Sequence, residues 1–379
     1  MAAAASLRDG LIRLAETLII GAAGGAALGL AKFPAGWLSG AMIAVAAAAI
    51  ARRPVLLPNR LAQAAYVALG ISLGAAVTPD TVARISSWPA SLLVLALAMA
   101  CNSLAVVVYL HQVHRWDTLS ALFASAPGGL SQALALASET GADLRSVAMV
   151  QSVRVLVLTA GLPLVVAGFG VTGGRPPGAA VETAASFGEL AGLIVAATLG
   201  AVAAYWVRVP GGLLVGAMAV SGLLHGIGLV KVNLPPSLAI ASFVVMGSII
   251  GARFAGTDIW LLRRLIMVGL GALFVGTTVS SAFAVAAAFL LALPVGDVVI
   301  AYAPGALEAM STLAFALNLD PAYVGTHHIA RLIFVSLMMP IVVHAIRRRG
   351  ASPKSLSDQR TAEAKAKPAD ATPPPAPGS

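Results

Sequence analysis

Two arginines and two proline-glycine breaks carry the chemistry that can be read from this chain. Arg154 lies ten residues inside an apolar segment that begins at Leu144, and Arg331 holds the equivalent place in a segment from Tyr323. A charge at that depth in a bilayer costs at least about 2.5–3.5 kcal/mol on insertion scales, so such residues are normally paired or functional. Gln151 precedes Arg154 by three residues on one helix face, as His328 precedes Arg331, and His327 precedes Arg331 by four. The breaks are Ala126-Pro127-Gly128-Gly129, followed by Ser131 and Gln132, and Ala303-Pro304-Gly305, followed by Glu308. Proline removes a backbone donor and glycine relaxes the chain, so a helix stops there and a new one starts after Gly128 or Gly305. The new helix presents free N–H groups and the positive end of its dipole, which suits an anion.

The candidate binding set is therefore Pro127, Gly128, Gly129, Ser131, Gln132, Gln151, Arg154, Pro304, Gly305, Glu308, His327, His328 and Arg331. Two basic side chains beside two helix N-termini fit a carboxylate or another oxyanion. Glu308 and His327 or His328 would then exchange a proton in coupled transport. The competing reading makes the arginines structural fasteners, Arg331 paired with Glu308 or Asp320 and Arg154 with Asp143 or Glu139. The breaks would then be simple kinks repacked by neighbouring helices.

The elements that must position these residues are apolar helices. Of 379 residues, 59% are hydrophobic and only 10% charged, against about 25% charged in a soluble protein. Mean hydropathy is +0.92. That composition excludes a water-soluble globule and, for the bulk of the chain, disorder; it implies an all-α polytopic membrane protein. Apolar segments run at Leu11–Ala31, Trp37–Ala51, Leu61–Val77, Pro89–Leu110, Thr118–Ala137 and Leu144–Phe169. They resume at Phe187–Trp206, Leu213–Val230, Leu238–Phe254, Leu265–Leu293, Val298–Leu317 and Tyr323–Ile346. Arg8 and Arg13 ahead of the first segment resemble a signal peptide, but a matching segment opens the second half, so this one reads as a retained helix. The expected organisation is a first membrane repeat over residues 1–170, a Gly/Pro-rich linker over 171–186, a second repeat over 187–346, and a disordered cytoplasmic tail over 347–379.

The repeat is read from residues that chance does not align. Pro34, Gly36, Leu38, Gly40, Ala41 and Met42 return 176 positions later as Pro210, Gly212, Leu214, Gly216, Ala217 and Met218. At an offset of 177, Gly70 and Gly74 match Gly247 and Gly251, Asp143 matches Asp320, Arg154 matches Arg331, and Pro163 matches Pro340. Six crossings per half make the repeats parallel; five, with each broken segment entering and returning on one side, make them inverted. The parallel arrangement divides the Lys/Arg of the loops eleven inside to seven outside, and the inverted one fourteen to four. Orientation follows the inside excess of Lys/Arg, so the inverted arrangement is favoured.

Other chemistries find little support. The net charge of +9 and pI near 10.3 come without a helix-turn-helix, zinc-finger or RNA-binding pattern, so direct nucleic-acid binding is not expected. The single Cys101 makes neither an internal disulfide nor a thiolate metal site. Six histidines are scattered without an acidic cluster, His327 and His328 point to different helix faces, and no nucleotide or hydrolase motif is present. No enzyme activity, cofactor or metal is expected. Glycines such as Gly21, Gly24 and Gly25 read as helix-packing contacts.

The block GWLSGA at Gly36, the run SAPGGLS at Ser125 and the spacing Asp143…Arg154…Pro163 together resemble the bacterial inner-membrane proteins of the AbrB family, over residues 11–346. That resemblance implies a duplicated membrane domain and, from the family's label, regulation of gene expression. Members are also labelled as ammonia monooxygenases, which conflicts with the missing metal ligands. Some relatives resemble one half only and would have to dimerise. The expected function is secondary transport of a small anionic solute, with membrane-embedded, indirect regulation of gene expression as the alternative. The expected setting is the bacterial inner membrane with the C-terminus cytoplasmic. The expected partners are the lipid bilayer, a small anionic solute and a coupling ion, and a homo-oligomer is compatible with this picture.

Overall fold

The computed structural model describes residues 2–77, 85–126, 133, 137, 140–168, 187–209, 211–257 and 259–350. Among the described residues there are thirteen α-helices and no strand: α1 (Ala2–Leu30), α2 (Gly36–Ile50), α3 (Asn59–Ala75), α4 (Trp88–His114), α5 (Thr118–Ser125), α6 (Leu144–Gly168), α7 (Phe187–Trp206), α8 (Gly212–Gly226), α9 (Pro236–Ala252), α10 (Ile259–Leu290), α11 (Val295–Tyr302), α12 (Leu307–Ala316) and α13 (Pro321–Gly350). The described residues up to Val335 form one compact unit; of 336–379, the described part is a continuous stretch of helix. That helix runs to Gly350, a few residues past the end of the expected membrane repeat, because arginines are good helix formers and favour a helix C-terminus. The linker 171–186 and residues 351–379 lie outside the described residues.

Within α1, α4, α6, α7, α10 and α13 lie stretches long and apolar enough to cross a membrane. The chain is a multi-pass helical membrane protein. The helices α2 and α8 have 15 residues each, about 22 Å at 1.5 Å per residue, short of a hydrocarbon core of about 30 Å. They are apolar on all sides, and they are packed inside the protein rather than against lipid alone.

Two groups of helices are built from interleaved parts of the chain. In one, α2 lies between α1 and α9; beside it, α8 lies between α7 and α3, and α3 touches α9. The third helix of each half thus packs on the second helix of the other. Small residues make that exchange close: a Cβ on Gly70 would overlap the Leu214 carbonyl and Ala217, and a Cβ on Gly247 would overlap the Leu38 carbonyl and Ala41. With lipid tails as apolar as leucine, such close backbone approach is the main source of helix association. The second group joins α4 to α10, with α5, α6 and α11 against them. Ser39 Oγ on α2 donates to the Thr159 carbonyl on α6 at 3.2 Å, linking the two groups.

Backbone conformations recur at the spacing read from the sequence. Left-handed residues pair as Lys32 with Arg208, Ala35 with Gly211, Arg52 with Gly228, Arg115 with Ala292, and Gly141 with Asn318. In each pair the positive φ turns the chain out of or into a helix at the same point.

Candidate functional site

The site begins with a short helix that cannot continue. In the second half, α11 stops at Tyr302, the backbone turns extended at Ala303, and α12 starts after Ala306. This is the break expected from Ala-Pro-Gly. The Gly305 N–H returns to the Ala303 carbonyl at 2.8 Å. In the first half, α5 stops at Ser125 and Ala126 turns extended in the same way. Pro127, Gly128, Gly129, Ser131 and Gln132, although in the expected site, lie outside the described residues.

A helix that ends inside the protein leaves carbonyls without partners, and these must be satisfied. The arginines do this. Arg331 donates from Nη1 to the Ala303 carbonyl and from Nη2 to the Ala301 carbonyl, both at 2.6 Å. Its neighbour His328 places Nε2 3.2 Å from the Ile300 carbonyl. Arg154 donates from Nη2 to the Ala126 carbonyl at 2.9 Å, and Gln151 donates from Nε2 to the Phe123 carbonyl at 2.7 Å. Four of these five pairings span 28 residues, the Arg331–Ala301 bond spanning 30, and Gln151 and Arg154 stand 177 positions before His328 and Arg331. Each cation therefore sits at the negative end of the helix before the break. Among the described residues, neither arginine is within ion-pair distance of a carboxylate; the ion pair found there is Arg53 with Glu16, at the surface. Backbone carbonyls replace the carboxylate partners of the fastener reading.

Both long helices are held in register by an aspartate. The Asp143 N–H donates to Ser120 Oγ at 2.9 Å, and the Asp320 N–H donates to Asp297 Oδ1 at 2.8 Å. Asp143 also caps α6, accepting from Ser146 Oγ at 2.6 Å and from the backbone N–H groups of Arg145 and Ser146. The Ser146 hydroxyl, foremost among these donors, holds the Asp143 carboxyl below the usual range.

The carbonyl bonds leave part of each guanidinium free. Both Arg154 Nε and Arg331 Nε are buried without a hydrogen-bond partner. Arg154 lines a narrow cleft walled by α4, α5, α6 and α10, and Pro304 of the other half's break lines the same cleft. The two arginines lie within electrostatic range of each other. Residues from both halves thus meet around one charged, apolar-walled space. As it stands the cleft has room for about one water molecule, so a solute enters only when the surrounding helices part.

Other expected residues stand elsewhere. Glu308 is half-buried in the first turn of α12, within electrostatic range of Tyr66 on α3. His327 turns from Arg331 into a hydroxyl network: Nδ1 lies 2.8 Å from the Tyr323 carbonyl and Nε2 2.9 Å from Ser91 Oγ. Ser91 Oγ is 2.5 Å from the Tyr323 hydroxyl, while the Tyr302 hydroxyl donates to the Ser91 carbonyl at 2.7 Å. Sequence reasoning missed Ser91, Tyr302 and Tyr323. It also missed Asn102, whose Nδ2 donates to the Gly276 carbonyl at 2.8 Å and to Ser280 Oγ at 2.7 Å. A buried asparagine inside an apolar segment was a usable signal. Among the described residues, no group of three or more His, Cys, Asp or Glu side chains converges in a way that would hold a metal.

Comparison with known proteins gives a consistent relationship. The sequence model of the family described as "Transition state regulatory protein AbrB" matches residues 37–347. "Uncharacterized protein YhjN" of Bacillus subtilis (strain 168) is 28% identical over 356 residues, covering 85% of this chain and 90% of its own length. "Putative regulator AbrB" of Escherichia coli (strain K12) is 24% identical over 319 residues, covering 83% of this chain and 90% of its own.

Proposed function

This chain belongs to the AbrB family, and we propose that it is a secondary transporter of a small anionic solute in the bacterial inner membrane, with its C-terminus in the cytoplasm. The observation that carries the reading is the matched pair of buried arginines. Each is fixed by carbonyls at the end of a broken helix, each keeps a free Nε–H, and neither has a carboxylate partner among the described residues. A cation held in a low-dielectric site without a counter-ion attracts an anion more strongly than one in water. Paired helix breaks at corresponding positions of two halves are the usual setting of a transporter's binding site. On this reading the halves are inverted repeats, the solute binds beside Arg154 and Pro304, and the half-buried Glu308 takes part in coupling to a proton. Parting of the helices around the cleft admits the solute from one side at a time.

The test is uptake or efflux of labelled organic and inorganic anions in proteoliposomes. Arg154→Ala and Arg331→Ala should each abolish transport in protein that still inserts and folds. Transport that survives both substitutions would assign the solute to another place.

A second reading follows from the names of the family and of one relative, both of which are called regulators. A membrane-embedded regulator acting indirectly would change gene expression on deletion. That change would persist in the transport-dead arginine variants, whereas a transporter's secondary effects would disappear with them.

A further inference from the structure

We propose that the cleft beside Arg154 selects an anion carrying a hydrogen-bond donor next to its charge, a short 2-hydroxy carboxylate, and that Asn102 reads the donor. This rests on the transport reading above and narrows its solute.

Of the residues that line the cleft, Arg154 and Asn102 carry the polar side chains; the remainder are apolar, such as Val106, Ala124 and Val150, or are glycine and proline. Both Nδ2 hydrogens of Asn102 are committed, one to the Gly276 carbonyl and one to Ser280 Oγ. A backbone carbonyl only accepts, so the amide nitrogen must face it, and this settles which end of the amide is which. Oδ1 then remains without a partner among the described residues. A side-chain amide oxygen takes two hydrogen bonds, so the cleft offers a vacant acceptor on α4. From α6 it offers a cation whose Nε–H is also unpartnered.

These two groups ask different things of one ligand. The guanidinium calls for an anionic oxygen, and the amide oxygen calls for a donor. A plain carboxylate satisfies the first and sets either a lone pair or a methyl group against Oδ1. A fully deprotonated inorganic oxyanion brings acceptors to both ends. An amino acid supplies a donor, but its ammonium adds a positive charge beside two arginines already in electrostatic range of each other. A hydroxyl on the carbon next to the carboxylate meets both demands with no added charge. The apolar walls accept a short alkyl chain.

The experiment measures binding to purified, reconstituted protein with sodium lactate, sodium propanoate and sodium sulfate as probes. Lactate should bind about tenfold or more tightly than propanoate, since a site built to bond a hydroxyl rejects the analogue lacking it. Asn102→Leu should bring that ratio to about one, chiefly by weakening lactate. Equal affinities for the two acids in the native protein, or sulfate binding without either acid, overturns the selection and leaves the anion-transport reading standing. Folded protein that binds none of the three overturns both. Should Asn102→Leu not fold, Ser280→Ala decides, because it unpins the amide while keeping the Gly276 bond. A fall in the lactate-to-propanoate ratio supports the assignment, and an unchanged ratio refutes it.

Discussion

Arg331→Ala should destabilise the folded protein more than Arg154→Ala, by about 2 kcal/mol. The difference is worked from the bonds each side chain makes. Arg331 makes two charge-assisted hydrogen bonds of 2.6 Å, to Ala301 and Ala303. Arg154 makes one of 2.9 Å to Ala126, and its contact with Gln151 Oε1 is long, at 3.4 Å. A hydrogen bond to a charged group contributes about 1.5–3 kcal/mol, so Arg331 forfeits about 3–6 and Arg154 about 1.5–3. Truncation also relieves the cost of burying an uncompensated cation, which opposes the loss. Both arginines are buried, so that relief is similar and cancels in the comparison. Equilibrium unfolding in mixed micelles, followed by circular dichroism, measures the difference. Arg331→Lys should fall between native and Arg331→Ala, since an ammonium replaces the fork with a single point charge. Equal destabilisation of the two alanine variants, or the reverse order, would refute the view that these arginines act as caps on broken helices.

Three further outcomes follow from the structure. A Cβ on Gly40 would overlap the Gly24 carbonyl, whereas one on Gly192 meets nothing within 4 Å; Gly40→Val should cost about 2–3 kcal/mol or prevent folding, while Gly192→Ala should change stability by no more than about 1 kcal/mol, both read by thermal unfolding in detergent. The Asp143 carboxyl is held below its usual range, foremost by the Ser146 hydroxyl. Its contribution is therefore complete above the ordinary carboxylate value of about 4 and is lost as pH falls through the lower folded value, so the stability gap between native protein and Asp143→Asn should narrow in acid. Ser91→Ala should destabilise by about 1–3 kcal/mol, because it strips a partner from both His327 and Tyr323 in a buried network. Tyr302→Phe, which removes the donor to the Ser91 carbonyl and a long 3.3 Å contact with Ser91 Oγ but leaves the His327 and Tyr323 bonds to Ser91 in place, should cost less in the same unfolding assay.

The helices were legible because a membrane leaves so little freedom. Continuous apolar runs bounded by Gly, Pro and basic residues located most ends to within a few residues, as at Phe187–Trp206, and Ala-Pro-Gly marked the break between α11 and α12; α1 and α10 begin nine and six residues ahead of the apolar runs at Leu11 and Leu265, because polar and basic residues extend a helix that is already formed. The matched positions of Arg154 and Arg331 were also visible, since charge is rare enough to stand out. Their partners were not. A backbone carbonyl carries no residue identity, so nothing in the sequence distinguishes an arginine that caps Ala301 and Ala303 from one that pairs with Glu308. The exchange of α3 and α9 was hidden for a related reason. Gly70 and Gly247 announce close approach without saying to which helix. Isolated polar residues such as Asn102 and Ser91 acquire meaning only when distant segments bring Gly276, Ser280 or His327 beside them. The central linker, with Arg175, lies outside the described residues.

The exchanged third helices also set a timetable for biosynthesis. By the time α3 is complete, the face it will bury against α8 has no partner, because α8 ends at Gly226, 151 residues later. At a synthesis rate of about 5–20 residues per second, that face waits roughly 8–30 s in the growing chain. The face of α2 that receives α9 waits as well. Neither half completes its packing until the other has emerged, so the nascent protein carries small-residue grooves open to the wrong neighbours for many seconds. Any factor that shields a half-made membrane protein would find its target there, on two short helices that the finished molecule hides.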